Sequence, residues 1–184
     1  MRVRVTKARQ QYTYVELYAG FILKTFSQKA DAQVSHISHL LETAIESDSQ
    51  LLNALLDPIK KDPVIQQAWL NKDKQALLEN SQPLFQQNRS RYRVTHLYFI
   101  GLDQVVFLRA HNPTHSGDLV TRSTMRQASE TGKNIQGIEL GKYGSFTLRV
   151  IHPWHIDGQL VGYIELGEEI THILEKLVGH KTFA

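Results

Sequence analysis

The chain has 184 residues, 41% of them hydrophobic and 21% charged, which suits a globular domain that buries a core without covalent staples. Cysteine is absent, which excludes disulfide scaffolds, thiol catalysis, iron–sulfur clusters and thiolate zinc sites. Lys and Arg number 21 against 18 Asp and Glu, a net charge of +3 with local basic clustering only in residues 1–10 and at Arg89, Arg91 and Arg93, so nucleic acid is not an expected partner. No run approaches the ~20 apolar residues of a membrane span. The best, residues 14–23 (YVELYAGFIL), is half that length and contains Glu16.

Composition changes near residue 91. The first part is rich in Leu, Ala, Gln, Lys and Glu and holds one glycine, Gly20; the second holds the other ten. This shift predicts helices first and a sheet afterwards, an α+β plan. Between residues 9 and 56 only Gly20 interrupts a helical pattern, and Val34, Ile37, Leu41, Ala44, Asp48, Leu51 and Leu55 step by three and four along one seam. Pro58 is expected to end this helix, because proline disfavours helical geometry at the residue before it. Asp62-Pro63 is an N-cap followed by proline and starts a second helix. A third is expected over 74–88, with an irregularity at Pro83.

The period then changes to two. Residues 95–100 (THLYFI) and 104–111 (QVVFLRAH) read as a hairpin joined by Gly101-Leu102-Asp103. A polar loop over 112–119 leads to a short helix over 121–131, closed by Gly132. Strands follow over 135–140, 145–152 and 160–166, the last two joined at Asp157-Gly158. A helix over 168–178 is expected to leave the sheet. The division expected is 1–91, a long stalk helix with short helices, and 92–184, the sheet with its exit helix, together one domain.

Three stretches carry a resemblance: FLRAHNPTHSGD at 107–118, GIELGKYGSFTLRVIHPW at 137–154 and DGQLVGYIELGEEI at 157–170. Together they resemble the Cache group of PAS-like extracytoplasmic sensor domains, found in bacterial chemoreceptors, sensor histidine kinases and diguanylate cyclases. The resemblance covers roughly residues 93–178. It implies a five-stranded antiparallel PAS-like sheet behind a long N-terminal helix. It also implies a periplasmic part of an inner-membrane signalling receptor, whose flanking membrane segments are absent from this sequence.

Candidate ligand contacts gather in the second part. With a period of two, Val105, Phe107, Arg109 and His111 share one strand face. Arg109 would be a forked donor to a ligand carboxylate, His111 a second donor and Phe107 an apolar wall. The plain alternative pairs Arg109 with an internal acid such as Asp118. Arg122 and Met125 are expected on the helix that closes the pocket, whose N-terminal N–H groups suit an anion, while for Arg126 the alternative is a solvated position. Arg149 is a further anion partner or, alternatively, the cross-strand partner of Glu139 or Glu165. Tyr98 and Asp118 complete the set, so the expected ligand-binding residues are Tyr98, Phe107, Arg109, His111, Asp118, Arg122, Met125 and Arg149.

The ligand expected is a small organic acid. No catalytic residue and no cofactor is expected, since no nucleophile elbow, phosphate loop or dinucleotide fingerprint occurs. A metal- or haem-binding sensor using His111 and His115, with Asp118 as a third metal ligand, is one alternative. A structural dimerisation module is the other. His152 and His155 raise the same metal question, but exposed polar positions at a hairpin end are the expectation. Tyr12, Tyr14, Tyr18, Phe21 and Phe26 suit ordinary helix packing, a membrane-proximal belt or a homodimer contact through the N-terminal helix.

Overall fold

The computed structural model describes residues 3–140, 145–173 and 175, with side chains from Leu17 onward apart from residues 18 and 19. The chain forms two compact units, residues 1–43 and 44–184. The first is helical throughout its described residues. Its apolar side chains Leu17, Phe21, Leu23, Phe26 and Val34 are exposed, so Phe21 and Phe26 do not pack in the way expected of core aromatics. The side chains of Tyr12, Tyr14 and Tyr18 lie outside the described residues.

The second unit contains the end of α1 (Val3–Lys61), then α2 (Pro63–Leu70), α3 (Lys74–Tyr92), β1 (His96–Ile100), β2 (Val106–Arg109), α4 (Ser123–Thr131), β3 (Ile135–Leu140), β4 (Phe146–Ile156) and β5 (Gln159–Glu169). The five strands form one antiparallel sheet in the order β2-β1-β5-β4-β3. This is the α+β, PAS-like architecture with a long N-terminal helix.

α1 runs through Pro58 to Lys61, rather than ending at residue 57. The hydrogen bond that proline removes falls in the last turn. That turn is held from outside: Ile59 is buried, and the Lys60 carbonyl accepts from Gln66 Nε2 and Trp154 Nε1. The buried stripe is Ser49, Leu52, Leu56 and Ile59, one residue out of phase with the Asp48-Leu51-Leu55 seam. The Asp62 side chain caps α2 by accepting from Val64 and Ile65 N–H, as its Asp-Pro start predicts.

One sheet face carries Leu97, Phe99, Leu108, Leu148, Val150, Trp154, Ile164 and Leu166, all buried. Trp69 of α2 packs on Phe99 and Trp154 with centroids 6.4 and 5.3 Å away, and its Nε1 donates to the Val161 carbonyl. Each fully buried side chain of this size contributes roughly 1.5–3 kcal/mol. His152 belongs to this face. β4 runs on to Ile156, so His152 lies in mid-strand and is buried, against its expected exposure at a hairpin end; His155 is exposed.

The opposite face is covered by α4. Tyr98, Ile100, Val106, Val120, Met125, Ala128, Ile151 and Tyr163 form its apolar cluster, with Ile135 beside them. Gly132 ends α4 with φ +65°, a left-handed C-cap that glycine adopts without strain. After β5, residues 171–173 and 175 are helical; Glu168 and Glu169 still belong to the strand, and residues 174 and 176–178 of the expected exit helix lie outside the described residues.

Candidate functional site

Strand register decides which polar groups meet. Tyr98 on β1 lies opposite Arg109 on β2 and Glu165 on β5, while Arg149 on β4 is one step along, opposite Gly167 and Gly137. α4 enters above them, with Arg122 as its N-cap. The guanidinium carbons of Arg109, Arg122 and Arg149 lie 5.2, 5.3 and 5.8 Å from the Tyr98 ring centroid. Three cations around one aromatic ring require counter-charges, and the fold supplies them.

Glu165, fully buried, accepts from Arg149 Nη1 at 2.6 Å and from Arg122 Nη2. Glu139 Oε2 sits 3.1 Å from Arg122 Nε and 3.9 Å from Arg149 Nε. Its other oxygen accepts from the Thr124 N–H at 2.8 Å, so the N-terminus of α4 already holds a carboxylate. Arg109 donates to Asp118 Oδ2 at 2.6 Å and to the His115 carbonyl at 2.9 Å, which fastens the 111–119 loop against the sheet. Three arginines thus face three carboxylates. Burial opposes the Arg149 charge, but Glu165 and Tyr98 raise its pKa above the ordinary value.

These pairs do not use every polar atom. Arg122 Nε, Arg149 Nε, Glu139 Oε2 and Thr124 Oγ1 are buried without a hydrogen-bond partner among the described residues. The Arg122–Glu139 contact is an ion pair by distance but lacks hydrogen-bond geometry. Donors and acceptors left over in one place are what a bound polar group would satisfy.

His96 and His111 flank the cluster. His111 stands edge-on to Tyr98 and His96, centroids 4.8 and 4.7 Å away. Burial first, then neighbouring positive charge, pushes His96 down to about 3 and His111 to about 4. His111 is therefore neutral at pH 7 and brings no positive charge to the group. Its Nδ1 faces the Leu97 backbone at 3.3 Å.

Of the expected ligand residues, the fold gathers Tyr98, Arg109, His111, Arg122 and Arg149. Met125 is buried in the adjoining apolar cluster, and Asp118 reaches the group through Arg109. Phe107 does not join them. A bulge opposite Phe99 and Ile100 makes Val106 the partner of Ile100, so Phe107 drops out of the face that Arg109 occupies. It packs edge-on against Trp69 at 5.3 Å and lines a separate cavity of about 650 Å³ with Trp69, Lys72 and Val161. Among the described residues His111, His115 and Asp118 do not come together as a metal set; the Nδ1 atoms of the two rings and the carboxylate are engaged with Leu97, with Asn112 and Thr114, and with Arg109 respectively.

Glu139 and Glu165, the alternative cross-strand partners of Arg149, are internal, and each meets Arg122 as well. The sign of this in the chain is Glu165 within VGYIELG, an acid inside a run that is apolar on both faces. His96 and Thr124 carry no comparable local signal.

A PAS-like sheet with a polar cluster beneath a loop and short helix is an arrangement that can hold a small polar ligand. Residues 27–180 match dCache_3, the double sensory domain of two-component sensor kinases, and the chain belongs to that family. The family is a ligand-binding rather than catalytic module, found in extracytoplasmic parts of membrane receptors. Among the described residues no helix is long and apolar enough to cross a membrane.

Solved structures share the fold at low identity. The Escherichia coli DcuS sensor domain matches with TM-score 0.61 at 14% identity, over 74% of this chain and 98% of its own. The Vibrio cholerae histidine kinase DctB sensor domain matches with TM-score 0.62 at 14% identity, over 82% of this chain and 58% of its own. The ligand-binding domain of the Campylobacter jejuni chemoreceptor Tlp3, in complex with L-valine, matches with TM-score 0.56 at 14% identity, over 79% and 60%. The chain thus spans about three fifths of the latter two. No curated protein matches it significantly.

Proposed function

We propose that this domain is the periplasmic sensor of a membrane receptor and that it binds a small carboxylate ligand between Tyr98, Arg109, Arg122, Arg149 and α4. The observation that carries this reading is the convergence of three guanidinium groups on Tyr98, with two of their Nε atoms near Glu139 but without a hydrogen-bond partner among the described residues. A ligand carboxylate would take over donors now held by internal carboxylates. Asp118 is the exchangeable one, because it is exposed and sits on the loop that Arg109 fastens. Replacing Asp118 on Arg109 would free that loop, and the displacement would pass along β5 to the segment that follows it. Such coupling requires that the ligand bind one loop arrangement more tightly than the other.

Charge balance favours a second reading of the ligand. Three carboxylates already match the three arginines, so an amino acid, with no net charge, disturbs the cluster less than a dicarboxylate does. Glu139 Oε2 is an acceptor for its ammonium group. That L-valine occupies the C. jejuni relative supports the same reading. A thermal-shift screen over organic acids and amino acids tests both. A rise in Tm with a carboxylate ligand, abolished by Arg109→Ala, is expected; a screen with no rise for any carboxylate would overturn the proposal. Retention of the rise after methyl-esterification of the ligand would equally overturn it.

A further inference from the structure

Away from the arginine cluster, three side chains from different elements meet where α1 passes the end of β5. They are Asp48 of α1, Glu168 of β5 and His172 of the segment after it, each offering one ligand atom within 4.8 Å of the others. His172 Nε2 lies 3.3 Å from Asp48 Oδ2 and 3.1 Å from Glu168 Oε1. The other ring nitrogen, Nδ1, lies 3.2 Å from the Glu169 carbonyl. A carbonyl only accepts, so Nδ1 carries the hydrogen in that contact. With Nδ1 turned to that carbonyl, Nε2 is the ring atom that faces the two carboxylate oxygens. Two carboxylate oxygens converging on one ring nitrogen call for a positive centre among them, a metal ion or a proton.

The spacing matches a metal ion. Ligand atoms about 2.0–2.2 Å from a tetrahedral ion stand roughly 3.3–3.5 Å apart; the two separations from His172 Nε2, 3.1 and 3.3 Å, are close to this, and the third lies within 4.8 Å. An imidazole whose second nitrogen donates to a backbone carbonyl is the usual support for a metal-bound histidine. Glu168 is 1% exposed, and its Oε2 is buried with no hydrogen-bond partner among the described residues. Arg93 Nε, at 3.1 Å from Glu168 Oε1, leaves that second oxygen available. The Asp48 and His172 side chains are 17% and 18% exposed, which opens the group to solvent on one side.

We infer that Asp48, Glu168 and His172 form a site for a divalent transition-metal ion of the zinc type, which would tie α1 to the segment leaving the sheet. Imidazole and carboxylate ligands without sulfur suit Zn²⁺, Co²⁺ or Ni²⁺, with water at the remaining position. Such an ion would join the chain entering the sensory unit to the chain leaving it.

Isothermal titration of the metal-free chain with Zn²⁺ tests this, with Co²⁺ absorbance in the 500–650 nm region as a direct report of coordination. One equivalent is expected to bind, with Tm raised. His172→Gln and Asp48→Asn, both at the partly exposed edge, should each weaken binding at least tenfold and remove the Co²⁺ band. His115→Gln should change neither. Absence of stoichiometric binding would overturn the inference, as would binding that survives both substitutions. A protein whose stability follows His172 protonation but takes up no metal would overturn it too, since a proton would then be the positive centre.

Discussion

Glu165 is the counter-charge on which the arginine cluster depends, fully buried and shared by Arg149 and Arg122. Removing one member of a buried ion pair leaves the other unpaired at a cost of about 3–5 kcal/mol, whereas replacing both with apolar groups costs much less. Glu165→Gln should therefore lower stability by about that amount in urea unfolding, and Arg149→Met combined with Glu165→Leu should lose less than the single change. His152 gives a second test. Its Nδ1 faces Lys60 Nζ at 3.1 Å and its Nε2 faces Asn53 Oδ1 at 2.6 Å, an arrangement of a neutral ring. Burial first, then Lys60, pushes its pKa down to about 4 from an ordinary 6.5. The unfolded chain thus binds a proton that the folded one refuses between these values, so this stability is present above pH 6.5 and lost as pH falls toward 4. The span corresponds to about 3 kcal/mol, and His152→Gln should flatten that part of the stability–pH curve. The Arg109–Asp118 and Arg149–Glu165 pairs were legible in the chain as alternatives to ligand contacts. The meeting of Tyr98 with Glu165 was not, because it depends on β5 lying beside β1.

At the scale of elements, two glycine-sized gaps position the helices. A Cβ on Gly162 would come within 2.6 Å of both the Ile100 carbonyl and Trp69 Cζ2, so β5 can lie under α2 only without a side chain there. Gly162→Ala should cost about 1–3 kcal/mol, read as a fall in Tm, and Trp69 fluorescence should report the displaced ring. A Cβ on Gly137 would lie 3.2 Å from Thr124 Cγ2, where α4 approaches β3. The order of helices and strands is readable from periodicity, caps and turn residues, because those are local. The misread details are non-local. Pro58 stays helical because Trp154 and Gln66 hold the turn after it, and Phe107 leaves the Arg109 face because of a bulge set by β1. The seam of α1 is displaced by one residue because the sheet, not the helix, chooses which stripe is buried.

For the whole molecule, the family is one of sensory domains and the fold agrees with it. The composition change at residue 91 marks the boundary between helices and sheet because burial on both strand faces demands β-branched and aromatic runs. Self-association through the N-terminal helix is a separate expectation: Phe21 and Phe26 are 67% and 69% exposed. Sedimentation of the intact chain should show a dimer weakened by Phe21→Ser with Phe26→Ser, while a wild-type monomer at high concentration would rule the contact out. The central claim concerns where a ligand sits. A crystal structure with the strongest stabilising carboxylate from the screen should place its carboxylate within hydrogen-bonding distance of Arg109, Arg122 or Arg149, beside Tyr98. The same carboxylate bound instead in the cavity between Trp69 and Phe107, with the arginine–glutamate cluster unchanged, would contradict the account.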